Sequence, residues 1–117
     1  MLRMLAAATQ GGHGALRLPP VYLGPGLLLD EGRRSLRRDG REVFLTPTEF
    51  EVLQALVAAD GAIVEDGALI ARVWGDGAAV ASQTLYAHLW TLRKKLGPAA
   101  RIRRRYGTGY LLDPPAS

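Results

Sequence analysis

Short apolar runs alternate with turn residues in the first part of the chain. Short segments at 21–23, 27–29, 35–38 and 41–45 are separated by Gly24-Pro25-Gly26, a polar break and Asp39-Gly40. An Asp-Gly pair between two such segments is a strong signal for a two-residue hairpin turn. The pattern predicts three or four short antiparallel strands in this region.

The middle of the chain changes to helical spacing. The string Thr-Pro-Thr-Glu at 46–49 places threonine at an N-cap, proline at the first helical position and glutamate at the third, which is a capping box. Apolar residues then recur at helical spacing until Asp60-Gly61. A second helix is predicted over 66–74, and a third from near Ser82 to Leu96.

The end of the chain has the pattern of a β-hairpin. Residues 102–106 and 110–112 flank Gly107-Thr108-Gly109, whose glycines tolerate the positive φ that a tight turn needs. The order of strands, three helices and a hairpin predicts an α+β fold, the winged helix-turn-helix. It comprises a small N-terminal antiparallel sheet, three helices and a C-terminal β-hairpin wing.

We assign residues 21–113 to this domain and residues 114–117 to a tail. Residues 1–20, rich in alanine and glycine, are interpreted as a flexible N-terminal arm or linker. One or two helical turns are expected within it, around Leu2–Ala8.

Composition and charge narrow the class of protein. A chain of 117 residues with 48% hydrophobic residues fits one globular domain, and the absence of cysteine excludes disulfides and thiolate zinc sites. A cytoplasmic location is expected, and no apolar run is long enough to span a membrane. Residues 80–117 hold seven basic residues against one acidic residue, whereas residues 39–79 hold eight acidic against two basic. This bias predicts a polyanionic partner, with a solvated basic face as the alternative.

The third helix carries the sharpest functional signal. At about 100° per residue, its four leucines form one stripe, and Gln83, Ala87, Trp90 and Lys94 lie on the opposite side. Such a face suits the major groove of DNA, where glutamine pairs with adenine and small apolar groups meet the thymine methyl. Packing against a neighbouring loop is the alternative for Trp90 and Tyr86, and His88 is either a phosphate donor or a boundary residue. The candidate DNA-binding residues of this helix are Gln83, Thr84, Tyr86, Ala87, His88, Trp90, Thr91, Arg93 and Lys94.

The hairpin is the second candidate surface. Four arginines occupy five consecutive positions, which predicts a cationic finger along a phosphate backbone or in the minor groove. Strand alternation places Arg104 on the opposite face from Arg103 and Arg105. Tyr110 is expected to pack, with its hydroxyl left free to donate to phosphate. The candidate DNA-binding residues here are Arg103, Arg104, Arg105, Tyr106, Thr108 and Tyr110.

The sequence contains no motif that supports an enzymatic function. No glycine-rich phosphate loop follows a strand and no metal-ligand spacing occurs. Neither His13 nor His88 has a carboxylate partner near it in the sequence. We therefore expect no catalytic residue, no metal and no cofactor.

Four motifs, in this order and at this spacing, resemble the C-terminal effector domain of the OmpR/PhoB family of response regulators. They are LTPTEFEVL at 45–53, VWG at 73–75, His88 followed by LRKKL at 92–96, and YGTGY at 106–110. The resemblance covers roughly residues 21–112 and implies a four-stranded sheet, three helices and a hairpin wing. It also implies regulation of bacterial transcription, with the third helix in the major groove and the wing at the adjacent minor groove. It implies contact between RNA polymerase and the loop Asp76, Gly77, Ala78 and Ala79.

Several positions depart from the family pattern. The recognition helix of the family starts with an arginine where this chain has Gln83. Where the family usually has an acidic residue, this chain has Tyr86. At two positions that are commonly basic in the family, this chain has Trp90 and Thr91. Tyr106 stands where the family often has a minor-groove arginine. Arg93, His88, Thr108 and Tyr110 match positions that contact the DNA backbone or support the wing. The departures leave the fold inference intact but leave the target DNA sequence unpredicted.

The resemblance raises further expectations about partners. A response regulator in a two-component phosphorelay needs a receiver domain, which the first twenty residues are too few to form. The chain is therefore either part of a longer regulator or a stand-alone one. Self-association on direct repeats is expected on DNA, and the arginine-rich stretch 33–38 contacts either a neighbouring copy or the acidic segment 39–79. The alternative function is a winged-helix module that binds protein through its Tyr86/Trp90 face.

Overall fold

The computed structural model describes residues 19–80 and 82–115, so the arm predicted around Leu2–Ala8 lies outside the described residues. The elements confirm the predicted α+β winged-helix order. In chain order they are β1 (Val21–Gly24), β2 (Leu27–Asp30), β3 (Ser35–Arg38), β4 (Arg41–Phe44), α1 (Pro47–Ala58), β5 (Val64–Glu65), α2 (Asp66–Trp74), α3 (Ser82–Leu96), a 3-10 turn (Gly97–Ala99), β6 (Ile102–Arg105) and β7 (Gly109–Leu112).

The first four strands form an antiparallel meander in the order β1-β2-β3-β4. Arg38 pairs with Arg41 across the two-residue turn Asp39-Gly40, so the predicted hairpin is confirmed. Both turn residues have positive φ, 51° and 82°, as a type I′ turn requires. The inner face of the sheet supplies fully buried leucines to the core, including Leu29 and Leu36.

The predicted capping box opens α1. The Glu49 backbone N–H donates to the Thr46 hydroxyl at 3.1 Å, and the Thr46 N–H donates to the Glu49 carboxylate at 2.9 Å. These two bonds satisfy backbone groups that the first helical turn leaves without partners. The helix ends at Ala58, just before the predicted Asp60-Gly61 stop, where both residues have positive φ.

The second and third helices have the predicted bounds. In α3 the four leucines of the stripe, at 85, 89, 92 and 96, are completely buried against the rest of the core. The stripe therefore fixes which side of α3 faces outward. No helix in the described part of the chain combines the length and the apolar character needed to cross a membrane.

The wing belongs to a second antiparallel sheet, in the order β5-β7-β6. The hairpin was predicted, but strand β5 was not, because two residues are too few to show a strand periodicity. In β5, Val64 pairs with Tyr110 and Glu65 pairs with Gly109. A Cβ added at Gly109 would lie 2.1 Å from the Val64 carbonyl oxygen, so this close approach requires glycine.

The arginine-rich stretch 33–38 contacts the acidic segment of its own chain. Arg33 forms an ion pair with Glu42 at 2.7 Å, and Arg34 lies 3.5 Å from Glu51. The hydrogen bonds from Arg33 and Ser35 lower the pKa of the Glu42 carboxyl to about 2. The two predicted alternatives for this stretch were a neighbouring copy and the acidic segment of the same chain. Arg33 and Arg34 form the contact within the chain.

Candidate nucleic-acid interface

The side of α3 opposite the leucine stripe is open to solvent. Five residues on this outward face, or at its edge, are exposed: Gln83, Tyr86, Ala87, Trp90 and Lys94. Tyr86 and Trp90 keep 51% and 49% of their surface accessible, which is unusual for large aromatic side chains in a small domain. The face that the sequence predicted to point away from the core is therefore free to meet a partner.

The Trp90 ring contacts a side chain of its own helix. The Lys94 ammonium lies 3.8 Å from the ring centroid, a cation–π contact between positions four apart. This contact differs from the predicted alternative, packing against a neighbouring loop. It leaves about half of Trp90 exposed and directs the Lys94 charge onto the ring.

A buried carboxylate ties α3 to the start of α1. Glu49, only 2% exposed, accepts hydrogen bonds from the Lys95 ammonium at 2.6 Å and the Thr91 hydroxyl at 2.7 Å. Burial raises the pKa of the Glu49 carboxyl. The hydrogen bonds from Lys95, the Thr46 N–H and Thr91 together lower the pKa by more than burial raises it, so the pKa lies below its ordinary value. The carboxylate therefore stays charged and fixes how α3 sits on the domain.

This contact changes the interpretation of Thr91. Its hydroxyl lies 2.7 Å from Glu49 Oε2 and 2.9 Å from the His88 carbonyl oxygen. A hydroxyl has one proton, so with Glu49 as its closer acceptor it cannot at the same time donate to a base edge. The residue itself is exposed, so its methyl group is what it offers to a partner.

Arg93 joins α3 to the wing. Its Nε donates to the Ile102 carbonyl oxygen at 3.1 Å, and its guanidinium lies 5.9 Å from the centroid of the Tyr110 ring. Arg93 shares an edge of the outward face with Tyr86, which is seven residues earlier and therefore two helical turns away. The contact brings the base of the wing beside that edge.

His88 is half-buried beside α2. Its ring centroid lies 5.8 Å from that of Trp74, with a tilt of 51° between the rings. This position fits the boundary alternative stated for His88, because one side of the ring packs on the domain. Gln83 and Thr84, in the first turn of α3, are both exposed.

The wing arginines are not equivalent. Arg103 forms an ion pair with Asp113 at 2.9 Å, and Arg104 forms one with Asp66 at 2.7 Å. Among the described residues, no acidic group lies within ion-pair distance of Arg101 or Arg105. The charge of the cationic finger expected from the sequence is therefore partly neutralised by acidic residues of the domain itself.

The two tyrosines of the wing also differ from each other, in how far they are exposed to solvent. Tyr106 is 96% exposed at the tip of the hairpin, whereas Tyr110 is only 3% exposed. Burial raises the pKa of the Tyr110 hydroxyl, and the Arg104 guanidinium lies 4.7 Å from its ring centroid. The expectation of a Tyr110 hydroxyl free for phosphate is corrected, because the side chain is buried where β7 pairs with β5.

Thr108 is exposed at the wing turn and also connects the wing to α2. Its carbonyl oxygen accepts from the Asp66 N–H at 3.2 Å, and its own N–H donates to the Arg105 carbonyl at 3.0 Å. Its side chain is therefore displayed on a turn held from both ends.

The loop between α2 and α3 is largely exposed. Asp76, Gly77 and Ala79 are exposed and Ala78 is half-buried. Gly75 and Gly77 take φ values of 99° and 77°, which favour glycine, and the Ala78 N–H donates to the Gly75 carbonyl at 3.2 Å. The loop thus presents a short turn with one carboxylate.

Sequence reasoning missed the acidic residues that organise these surfaces. Glu49 was interpreted only as a helix cap, and Asp66 and Asp113 were given no role. Glu49 lies 42 residues from Thr91, and Asp66 lies 38 residues from Arg104, so no local pattern signals either pair. In the described ranges 19–80 and 82–115, no cluster of three or more metal-ligating side chains occurs.

Comparison with known proteins places this geometry in a family. The family described as "Transcriptional regulatory protein, C terminal" matches residues 40–112, more than half of the chain. The transcriptional regulatory protein CutR of Streptomyces coelicolor is 37% identical over 100 residues, which cover 86% of this chain and 46% of CutR. The chain spans about half the length of the curated relatives it matches.

Solved structures share the fold. The DNA-binding domain of CpxR from E. coli superposes with a TM-score of 0.73 at 28% identity, covering 85% of this chain and 100% of that domain. The DNA-binding domain of RstA from Klebsiella pneumoniae, solved in complex with the RstA box, gives a TM-score of 0.69 at 25% identity. That match covers 81% of this chain and 97% of the RstA domain.

Proposed function

Since this chain belongs to the family of transcriptional regulatory C-terminal domains, the winged-helix effector domains of the OmpR/PhoB type, we propose that it binds double-stranded DNA and regulates bacterial transcription. In this proposal the outward face of α3 enters the major groove. The wing contacts the phosphate backbone or the adjacent minor groove. The protein acts without a cofactor, and it is a binding module, not an enzyme.

One observation carries the proposal. The outward face of α3 is solvent-exposed over its length, and Arg93 holds the arginine-bearing wing against one edge of it. An exposed helix about 10 Å across fits the major groove, and a flanking cationic strand can neutralise phosphates on either side. The chemistry of both surfaces is thus suited to one duplex.

The contacts divide the candidate residues by role. Base reading is assigned to Gln83, Tyr86, Ala87, Trp90 and the Thr91 methyl, because these groups are exposed on or beside the outward face. Phosphate and sugar contact is assigned to a second set that is charged, hydroxylated or at the wing tip. That set is Thr84, His88, Lys94, Arg101, Arg103, Arg105, Tyr106 and Thr108.

The test is a titration of the full chain against a random-sequence 20-base-pair duplex, monitored by fluorescence anisotropy at several salt concentrations. The logarithm of the affinity should fall linearly with the logarithm of the salt concentration, by about 0.9 per phosphate contact. Selection from a random duplex pool should then recover a preferred sequence, and Gln83→Ala should change that preference more than the salt slope. Absence of binding to any duplex, or binding independent of salt, would contradict the proposal.

A second function is favoured by the two half-exposed aromatic rings. Tyr86 and Trp90 have the composition of a protein-interaction hot spot, and Lys94 is turned onto the Trp90 ring. If this face bound protein, Trp90→Ala would leave affinity for the random duplex unchanged. We favour DNA because Arg101 and Arg105, at the two ends of the segment whose Ile102 carbonyl Arg93 contacts, have no acidic partner within ion-pair distance in the described ranges.

Two further partners follow from family membership and remain proposals. The exposed loop at 76–79 is positioned before α3, where it would contact RNA polymerase in a transcription complex. Self-association is proposed to occur on direct repeats in DNA. Analytical ultracentrifugation of the chain with duplexes bearing one or two copies of a selected site would show whether pairing depends on DNA.

A further inference from the structure

The outward face of α3 offers little positive charge to a groove. Lys94, its one cationic residue, is held 3.8 Å from the centroid of the Trp90 ring. Arg93, the only arginine of the helix, donates its Nε to the Ile102 carbonyl of the wing. Guanine is most often read by an arginine or lysine that donates to its O6 and N7 atoms. This face therefore carries no arginine, since Arg93 lies at its edge, and its one lysine rests on the Trp90 ring, so few of its groups are of the kind that reads guanine.

The groups that remain suit adenine and thymine. Gln83 has an amide that can donate to N7 and accept from N6 of adenine in a bidentate pair. Ala87 presents a methyl group, and Trp90 presents a half-exposed ring. The Thr91 hydroxyl is held by Glu49, so that residue also offers a methyl group. Apolar side chains of this kind contact the C5-methyl group of thymine.

The spacing of these groups matches successive base pairs. Gln83, Ala87 and Trp90 are separated by four and three residues and all lie on the outward face. At about 1.5 Å per residue the three span about 10 Å of helix, which corresponds to about three base pairs at about 3.4 Å each. A helix lying along the major groove can therefore place each side chain over a different base pair.

We propose that the outward face of α3 reads an A·T-rich major groove, with Gln83 on adenine and Ala87, Trp90 and the Thr91 methyl against thymine methyl groups. This inference rests on the proposed DNA-binding function and specifies the sequence class that the site takes. Trp90 is the principal specificity-determining residue, because it presents the largest apolar surface on the face.

The experiment compares three 20-base-pair duplex pools with identical flanks. The central ten base pairs are randomised as A·T only, as G·C only, or as A·T with deoxyuridine in place of thymidine. Deoxyuridine removes the C5-methyl group from the major groove and leaves the minor-groove edge unchanged. We expect the A·T pool to bind at least about tenfold more tightly than the G·C pool. Removal of the methyl groups should weaken binding at least about fourfold.

Variants assign the effect to α3. Trp90→Ala should reduce the ratio of thymidine to deoxyuridine affinity toward one. Tyr22→Ala, which removes an aromatic side chain equally exposed at 49% but located on β1, should leave that ratio unchanged. Trp90→Arg should shift preference toward the G·C pool. Circular dichroism of each variant checks that the fold is retained.

The outcomes separate this inference from the proposed function. Salt-dependent binding with equal affinity for the A·T and G·C pools, or with no loss on deoxyuridine substitution, would overturn the inference and leave DNA binding standing. A deoxyuridine effect of undiminished size in Trp90→Ala would overturn the assignment to Trp90. Failure to bind any of the three pools would overturn both.

Discussion

The buried carboxylate of Glu49 gives the most quantitative prediction. Glu49→Gln keeps the size of the side chain and the acceptor for the Thr46 N–H, since glutamine also completes a capping box. It removes the negative charge that accepts from Lys95 at 2.6 Å and from Thr91 at 2.7 Å. The variant thus isolates the contact between α1 and α3 from the helix cap.

The loss in the free energy of unfolding on Glu49→Gln can be estimated from these contacts. Hydrogen bonds to a charged group contribute about 1.5–3 kcal/mol each, and loss of one partner of a buried ion pair costs about 3–5 kcal/mol. The Lys95 side chain is 29% exposed, so water can partly solvate its ammonium in the variant. We therefore expect a loss of about 2 kcal/mol in the free energy of unfolding. That loss corresponds to a fall in Tm of about 8–16 °C.

The pH dependence has a definite sign. Because the folded pKa of Glu49 lies below its ordinary value of 4.5, the carboxylate stabilises the fold above that value. This contribution is lost as the pH falls through the lower, folded pKa. The difference in stability between the natural chain and Glu49→Gln should therefore be full at pH 7 and should shrink as the pH falls below 4.5.

Urea unfolding followed by circular dichroism, from pH 7 down to pH 3, measures both effects. The matched control is Glu51→Gln, which removes a more exposed carboxylate that pairs with Arg72 at 3.1 Å. Exposed pairs contribute about 0–1 kcal/mol, so this control should change stability little. Equal losses in the two variants, or a loss from Glu49→Gln that does not change with pH, would refute the reasoning.

Two further predictions concern the wing. The double variant Arg101→Ala/Arg105→Ala should reduce the salt slope of duplex binding by up to about 1.8. The double variant Arg103→Ala/Arg104→Ala should reduce that slope less, because Asp113 and Asp66 already neutralise those side chains. Equal reductions in the two double variants would contradict this ranking. Gly109→Ala should lower the free energy of unfolding by about 2–4 kcal/mol, since the new Cβ would lie 2.1 Å from the Val64 carbonyl oxygen. The control Gly67→Ala, which has open space in α2, should leave stability unchanged or raise it, and a similar loss in both variants would show that the close approach is not the cause.

Local signals made most of the fold predictable. The Asp39-Gly40 turn, the Thr46–Glu49 capping box and the leucine stripe of α3 each involve residues that are close together in the sequence, so the sequence pattern predicts them directly. The bounds of α2 and α3 followed from the same periodicity. Strand β5 was not predicted, because it has only two residues and is defined by its pairing with β7, which is distant in the sequence.

The electrostatics of the candidate interface were not predictable in the same way. Composition located the basic residues of the wing but gave no sign that Asp66 and Asp113 pair with two of them. Likewise, Thr91 was expected to read bases, and only the tertiary contact with Glu49 shows that its hydroxyl is occupied. Pairings between residues far apart in the sequence depend on the folded arrangement, which no periodicity encodes.

Mapping of the bound surface by NMR tests the central proposal most directly. A random-sequence 20-base-pair duplex is titrated into the ¹⁵N-labelled chain, and shifts of the backbone amide signals are followed. We expect the largest changes to cluster on α3 from Gln83 to Lys94 and on the wing from Arg105 to Thr108, with little change in β1–β4. Changes concentrated in the β1–β4 sheet, with α3 and the wing unaffected, would contradict it.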